Sequence, residues 1–478
     1  MRLGPFVPLL AVSVGMATTA AWGAPDSSPV PAPAPAEAPP PSPATPMPAV
    51  ALGARHAYTL AECLRFAESN YPKVHEAGAQ LDRMRAQLFE VRMLPFGGFT
   101  ATAGVALAPT VSGTAFYSPN TDAAITSSMA LAWRVGIDGA VPLWTFGKIS
   151  NAIDAAKAQV KVGEENVQKS KNEVRLTVRQ AFYGVELARD ARSLVDDALE
   201  RVDKYLPRVE EKVKNGDGDD IQLLKLKIHR AELIARRSEA ERQERVALSG
   251  LRFLTGMGAE LDVPDEPLKP LHRVLGPVSQ YLTAARLFRP EVNMARAGVV
   301  ARRAQVELEK ARFFPDFALA LSASRSYAPE VADQLNPFVR DDANYLRYGF
   351  GLVLNWKLDF LPQAARVAQA RAQLEEIRAT ERYALGGVGV EVETAFAETE
   401  DAAKRLEAWT DAARFAKQWL VKVQEGIDVG TFNDEDIVDP AKEYALKRFY
   451  QMSATLDYNM ALAKLALATG WDAVAPSE

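Results

Sequence analysis

The stretch Ser128-Met-Ala-Leu-Ala-Trp-Arg-Val-Gly-Ile-Asp-Gly-Ala-Val-Pro-Leu-Trp144 alternates with period two. Met129, Leu131, Trp133, Val135, Ile137, Val141 and Leu143 share one face, and Ser128, Ala130, Ala132, Arg134, Gly136, Asp138 and Ala140 the other. Such a run is a strand with one apolar face. It recurs at Arg347–Leu358, where Tyr348, Phe350, Leu352, Leu354, Trp356 and Leu358 alternate with Arg347, Gly349, Gly351, Asn355 and Lys357. Residues 98–107 and 316–323 alternate more weakly, with small polar side chains. A sheet packed on a soluble core would give this pattern. Three features favour an outer-membrane barrel instead, with apolar residues to lipid and small or charged residues to a wet lumen. The runs exceed the usual five or six residues. Aromatic residues stand near the strand ends, and Trp133, Trp144, Tyr348 and Trp356 are the candidates for a lipid-facing girdle. The opposite face carries Arg, Asp and Lys, which a dry core would not accept unpaired.

Four strands cannot close alone, since the smallest membrane barrels have about 8. An open edge in lipid would leave backbone groups unsatisfied. The chain is therefore expected to oligomerise, and strand arithmetic does not choose between two copies and three.

Working outward, each strand pair leads into a very long helix. Residues 148–213 contain no proline before Pro207, and Val195, Leu199, Val202, Leu206, Val209 and Val213 follow the 4-3 spacing of a coiled-coil seam. Residues 363–425 behave similarly, with more alanine. A helix of about 65 residues spans about 100 Å. Shorter helices are expected over 60–94, 220–256 and 278–314, with a proline-bearing, non-helical belt at 257–277. An ordinary coiled-coil rod would explain the helices by themselves; with barrel strands attached, a long tube under a barrel is the better reading.

The pattern occurs twice. Ala156-Lys-Ala-Gln159 returns as Ala370-Arg-Ala-Gln373, and Val178, Ala181 and Phe182 return as Val392, Ala395 and Phe396, all at one offset of 214 residues. Asp220-Ile221 matches Asp436-Ile437 after a slip of two. The halves are expected at 58–270 and 275–474. Before them, 1–23 has one basic residue, a short apolar stretch and a small-x-small site at Ala21-Trp22-Gly23, the pattern of a secretory signal peptide rather than an anchor. Residues 25–50 hold 11 prolines and read as a disordered spacer.

Composition removes other classes. Of 478 residues, 24% are charged, and Cys63 and four histidines are the whole stock of thiol and imidazole. One cysteine makes no internal disulfide, and no two histidines have the spacing of a helical metal site. Net charge is −5, which offers no basic footprint for nucleic acid. No nucleophile elbow or phosphate loop is present. No catalytic, cofactor-binding or metal-ligating residue is assigned, and an enzyme is not expected.

Taken together, Leu60-x-x-Cys63-Leu64…Asn70-Tyr71-Pro72, Arg289-Pro290-Glu291, Pro142-Leu143-Trp144-Thr145-Phe146-Gly147 and Val429-Gly430-Thr431…Asp436-Ile437-Val438-Asp439 resemble the TolC-like outer membrane efflux proteins over about 58–472. The resemblance implies a homotrimer with a 12-stranded barrel in outer-membrane lipid and a long α-helical tunnel in the periplasm. It implies a passive exit duct for small molecules or protein, fed by a periplasmic adaptor and an inner-membrane transporter in a tripartite efflux or type I secretion system. Asp436 and Asp439 match the family's constriction aspartates, Asp220 its partner on the first hairpin, and Val429-Gly430-Thr431 its adaptor-contacting tip. Phe432 and Ile427 stand where the family often has an arginine and a tyrosine. The first tip has Val213-Lys214-Asn215 where the family often has Val-Gly-Leu. Pro440 follows Asp439, so Asp439 either lines the pore or caps a helix. Asn433 is a candidate N-cap, and Asp434 and Glu435 are candidate first-turn acids. The rival function is a periplasmic or extracellular coiled-coil scaffold without channel activity.

Overall fold

The computed structural model describes residues 56–112, 124–216, 219–328, 343–432 and 434–476. The expected signal peptide, the spacer and Asn433 lie outside them. The first half runs β1 (His56–Ala57), α1 (Leu60–Asn70), α2 (Pro72–Met93), β2 (Gly98–Ser112), β3 (Ala124–Trp144), α3 (Lys148–Lys214) and α4 (Asp220–Thr255). After β4 (Leu261–Asp262), the second half repeats the order: α5 (Val278–Phe288), α6 (Pro290–Ala311), β5 (Asp316–Tyr327), β6 (Tyr345–Asn355), α7 (Phe360–Asp428) and α8 (Val438–Thr469).

The two long helices have 67 and 69 residues, about 100 Å each at 1.5 Å per residue. The expected single helices over 60–94 and 278–314 are each broken in two. Tyr71 (ψ 127°) and Arg289 (ψ 120°) are extended because the following Pro72 and Pro290 exclude the α conformation at the preceding residue. Each proline then opens the next helix, where its missing N–H costs nothing.

Along the bundle α3 packs on α2, α4, α6 and α8, while α7 packs on α5, α6 and α8. The buried layer gathers in two large clusters and a small one, the last made by Val306 of α6 with Ala370 and Leu374 of α7. Val174, Val178, Phe182 and Val185 of α3 meet Leu60, Cys63 and Leu64 of α1 and Leu248, Leu251 and Leu254 of α4. Val388, Val392 and Ala395 of α7 meet Tyr281 and Ala285 of α5 and Leu462, Leu465 and Ala466 of α8. Burial pushes the Cys63 thiol up to about 12, as befits a core residue.

The segment 257–277 is a strap. Its β4 residues pair in parallel with β1. Arg189 of α3 donates to Asp262, to the Val263 carbonyl at 2.6 Å and to Glu244 at 2.8 Å. Asp190 accepts from the Leu268 N–H at 3.0 Å. From α8, Asn459 accepts from the Leu271 N–H and donates to the Lys269 carbonyl, both at 2.9 Å. The strap thus fastens one half of the chain to the other.

The strands form one antiparallel sheet in the order β2-β3-β5-β6, leaving β2 and β6 as its edges. All four strand ends that join helices lie at one end of the sheet, because each strand pair is a hairpin inserted between helices.

Candidate functional site

The register decides which residues share a face. On one face lie Val105, Trp133 and Tyr327 in a row, then Ala103, Val135, Arg325 and Leu346, then Ala101, Ile137, Ala323 and Tyr348. Lower rows bring Leu321 to Phe350, Leu319 to Leu352 and Phe317 to Leu354. The other face has Thr102, Gly136, Ser324 and Arg347 in a row, and Thr100, Asp138, Ser322 and Gly349 in the next. Gly136 lies between Thr102 and Ser324, where a Cβ would come within 3.2 Å of the Thr102 hydroxyl. One face is apolar except for Arg325, whose guanidinium lies 5.9 Å from the centre of the Trp133 ring, and the other is small, hydroxylated or charged. Among the described residues nothing covers the apolar face: Val105, Leu131, Ile137, Tyr348, Phe350, Leu352 and Leu354 are all exposed. A soluble protein seldom leaves a patch of this size bare.

Aromatic residues collect at the helix end of the sheet. Phe146 stacks on Phe314 at 5.2 Å and lies 6.1 Å from Trp144. Trp356 and Phe360 meet edge to face at 6.1 Å, and Trp356 donates its indole N–H to the Phe313 carbonyl at 3.0 Å. Trp356 and Leu358 lie just past the end of β6, so they extend the apolar face beyond the strand expected to contain them. Trp133 is inside β3, at the last β3–β5 pair, where it faces Tyr327. It is 11 residues from Trp144. At about 3.3 Å per residue and a tilt of about 40°, the two levels stand about 28 Å apart, close to the height of a barrel's apolar band.

At the far end of the helices the two tips differ. In the first, α3 ends at Lys214 with Asn215 as its C-cap, Gly216 turns with φ +83°, and Asp219 is the N-cap of α4, its carboxylate accepting from the Ile221 N–H at 2.9 Å. Asp220, the expected gate partner, is exposed in the first turn. Asp219 as N-cap is absent from the sequence reading; an Asp just before an apolar-periodic run is the signal for it. In the second tip, α7 ends at Asp428 and Gly430 turns with φ +77°. Thr431 and Phe432 both donate their N–H to the Gly426 carbonyl, at 2.7 and 3.2 Å. The Phe432 ring folds onto Gly426, where a Cβ would come within 2.2 Å of it. Val429 is 78% exposed at the apex.

A 3-10 turn, Asp434–Ile437, then carries Asp436, and α8 begins at Val438 with Ile437 in the cap position and no side-chain cap hydrogen bond. The N-cap alternative for Asp439 is therefore excluded. Asp439 is the second helical residue, exposed, and Pro440 the third, because a 3-10 turn already supplies the helical entry. Asp436 and Asp439 are both exposed, on the same short segment. The structure thus puts Asp436, Asp439, Val429, Gly430 and Thr431 on one tip and Asp220 on the other.

The register also exposes a repeat absent from the sequence reading. Leu254-Thr255-Gly256 and Ala468-Thr469-Gly470 stand at the same 214-residue offset. Thr255 and Thr469 are fully buried, each donating its hydroxyl to the carbonyl four residues back at 2.8 Å. The following glycines, φ +70° and +67°, end α4 and α8 against the proline breaks of α1–α2 and α5–α6: Gly256 against Asn70, Gly470 against Phe288 and Arg289.

A duplicated strand-pair and long-helix chain with a bare apolar sheet face is the architecture of an outer-membrane duct. The outer membrane efflux protein family matches residues 65–257 and 282–471, and the chain belongs to that family. It is an outer-membrane exit duct of efflux systems, with its helices on the periplasmic side. Among solved structures, a membrane protein from Pseudomonas aeruginosa is 19% identical, with 86% of this chain and 93% of that one covered and a TM-score of 0.69. The open state of the MtrE outer membrane channel of Neisseria gonorrhoeae is 18% identical over 86% and 89%, TM-score 0.69. The outer membrane protein VceC of Vibrio cholerae is 16% identical over 86% and 96%, TM-score 0.65. No curated protein matches the chain at a significant level of sequence similarity.

Proposed function

We propose that three copies of this chain close a 12-stranded barrel, β6 of one copy pairing with β2 of the next, and form a passive duct that joins a periplasmic adaptor and an inner-membrane transporter. The observation that carries this is a sheet whose apolar face is bare and whose two edges are unpartnered among the described residues, fused to helices about 100 Å long. The number three comes from the family resemblance. Trp133, Trp144, Tyr348 and Trp356 are the lipid-facing girdle. Asp436 and Asp439 line the constriction, with Asp220 facing them from the first hairpin, and Val429, Gly430 and Thr431 contact the adaptor. Transport by such a duct needs no catalytic group. Residues 1–23 direct export and 25–50 form a spacer ahead of two repeats at 58–270 and 275–474.

The test uses purified full chain in planar bilayers. Discrete conductance steps and a heat-modifiable trimer on gels are expected. Asp436→Asn should change single-channel conductance and lower cation preference, because neutralising one ring of like charges weakens local cation attraction. Unchanged selectivity would remove Asp436 from the constriction. Release of the protein from membranes by buffer without detergent would favour a scaffold instead.

A further inference from the structure

We infer that the loop end of the small-residue face holds a site for anionic groups, formed by Arg134 and Arg347 with Ser326 between them. The inference rests on the reading of that face as the duct's lumen. Arg134 lies in the row Arg134–Ser326–Tyr345, and Arg347 in the adjacent row, opposite Ser324. Two strand spacings and one two-residue step put their Cα atoms about 12 Å apart, within reach of two extended arginine side chains. The Arg347 guanidinium stacks on Tyr345 at 3.9 Å from the ring centre, which draws it toward the row that holds Arg134. Ser326 contributes a hydroxyl at the midpoint of that row. Gly104, beside Arg134, and Gly349, beyond Arg347 on β6, each face open space, so no side chain from those positions fills the patch.

Position gives the pair its meaning. Arg134 is ten residues from the helix end of β3, and Arg347 is the third residue of β6, which starts at the loop end. The exposed carboxylates Asp436 and Asp439 sit at the opposite end of the molecule, beyond α7. The duct therefore carries acids at its entry and guanidiniums near its exit. Guanidinium forks suit phosphate and carboxylate oxygens, and two of them flanking a hydroxyl make a site for an anionic group on a passing solute.

The experiment measures block of single channels by inorganic pyrophosphate added to the loop side. Wild-type protein should be blocked from that side. The double variant Arg134→Gln/Arg347→Gln should lose about fivefold or more in apparent pyrophosphate affinity and shift its permeability toward K+ over Cl− by about twofold. Arg134→Lys/Arg347→Lys keeps the charge and should retain most of the block. A conducting wild type that pyrophosphate does not block, or a Gln double variant that conducts and is blocked like wild type, overturns the inference alone. A wild-type chain that forms no channel overturns the duct reading, and the inference with it.

Discussion

The two halves of the chain share an order of elements but not a set of contacts. At the 214-residue offset, Glu186, Arg189 and Asp190 of α3 correspond to Glu400, Ala403 and Lys404 of α7. The first set lies against the strap, and Glu186 and Asp190 are partly buried there, whereas Glu400 is exposed. Arg179, buried and bonded to Asp472 at 2.9 Å and to the Ala475 carbonyl at 2.7 Å, corresponds to Glu393, which is exposed. The tips diverge as well: one is a short turn closed by a capping aspartate, the other a longer one with an uncapped helix and exposed acids. Duplication preserved the long helices and strand hairpins. At Arg179, Arg189 and Asp190 the halves differ where a segment that occurs once, the strap or the C-terminus, packs on them.

The sharpest break of the comparison is at the two helix-ending glycines. A Cβ at Gly470 would lie 2.6 Å from the Phe288 carbonyl oxygen, a backbone atom, whereas at Gly256 it would lie 3.0 Å from the Asn70 Cβ. Both also need a left-handed φ. Gly470→Ala should therefore cost about 3 kcal/mol and Gly256→Ala about 1–2 kcal/mol, read as shifts in the denaturant midpoint. Equal costs would mean the two joints are interchangeable.

The second break is pH. Burial, with Asp190 and Glu266 nearby, pushes Glu186 up to about 7. The folded chain thus holds a proton there that the unfolded chain, with an ordinary carboxyl near 4.5, has released. Stability falls as pH rises from about 4.5 through 7. Glu186→Gln should be more stable than wild type by about 1–3 kcal/mol at pH 8 and indistinguishable at pH 4. Glu400→Gln, on the exposed equivalent, should change nothing measurable at either pH. A gain from Glu400→Gln equal to that from Glu186→Gln would remove the strap as the cause.

The smallest effect is at the tips. Asp219→Ala should cost about 1 kcal/mol by freeing the Ile221 N–H, seen as about fivefold faster amide exchange in the first turn of α4. The first turn of α8, which has no side-chain cap, should already exchange faster than that of α4 in the wild type. The reverse order would refute the contrast drawn between the tips.

Much of this was legible in the sequence because period two and period 3.6 are local. The four strands, the long helices and the duplication follow from spacing, and Trp133, Trp144, Tyr348 and Trp356 stand out by residue type. Two expected helices came out broken because apolar periodicity continues across Pro72 and Pro290, while the constraint sits on the residue before each proline. Asp439 could be read as a cap from Asp-Pro alone; only the 3-10 turn ahead of it, set by the preceding chain path, moves it into the helix. The threonine–glycine joints went unnoticed because their logic is a contact between segments 185 residues apart, such as the Asn70 side-chain amide bonded to the Thr255 carbonyl.

By itself the sequence determined which residues alternate, how long each helix runs and that one unit occurs twice, since these depend on neighbours along the chain. Only the tertiary structure decided that Arg134 and Arg347 lie in adjacent rows, that the strap ties α3 to α8, and which of two similar tips is capped. Those depend on strand register and on where the chain returns. A shift of one residue in the register would have carried both arginines to the other face.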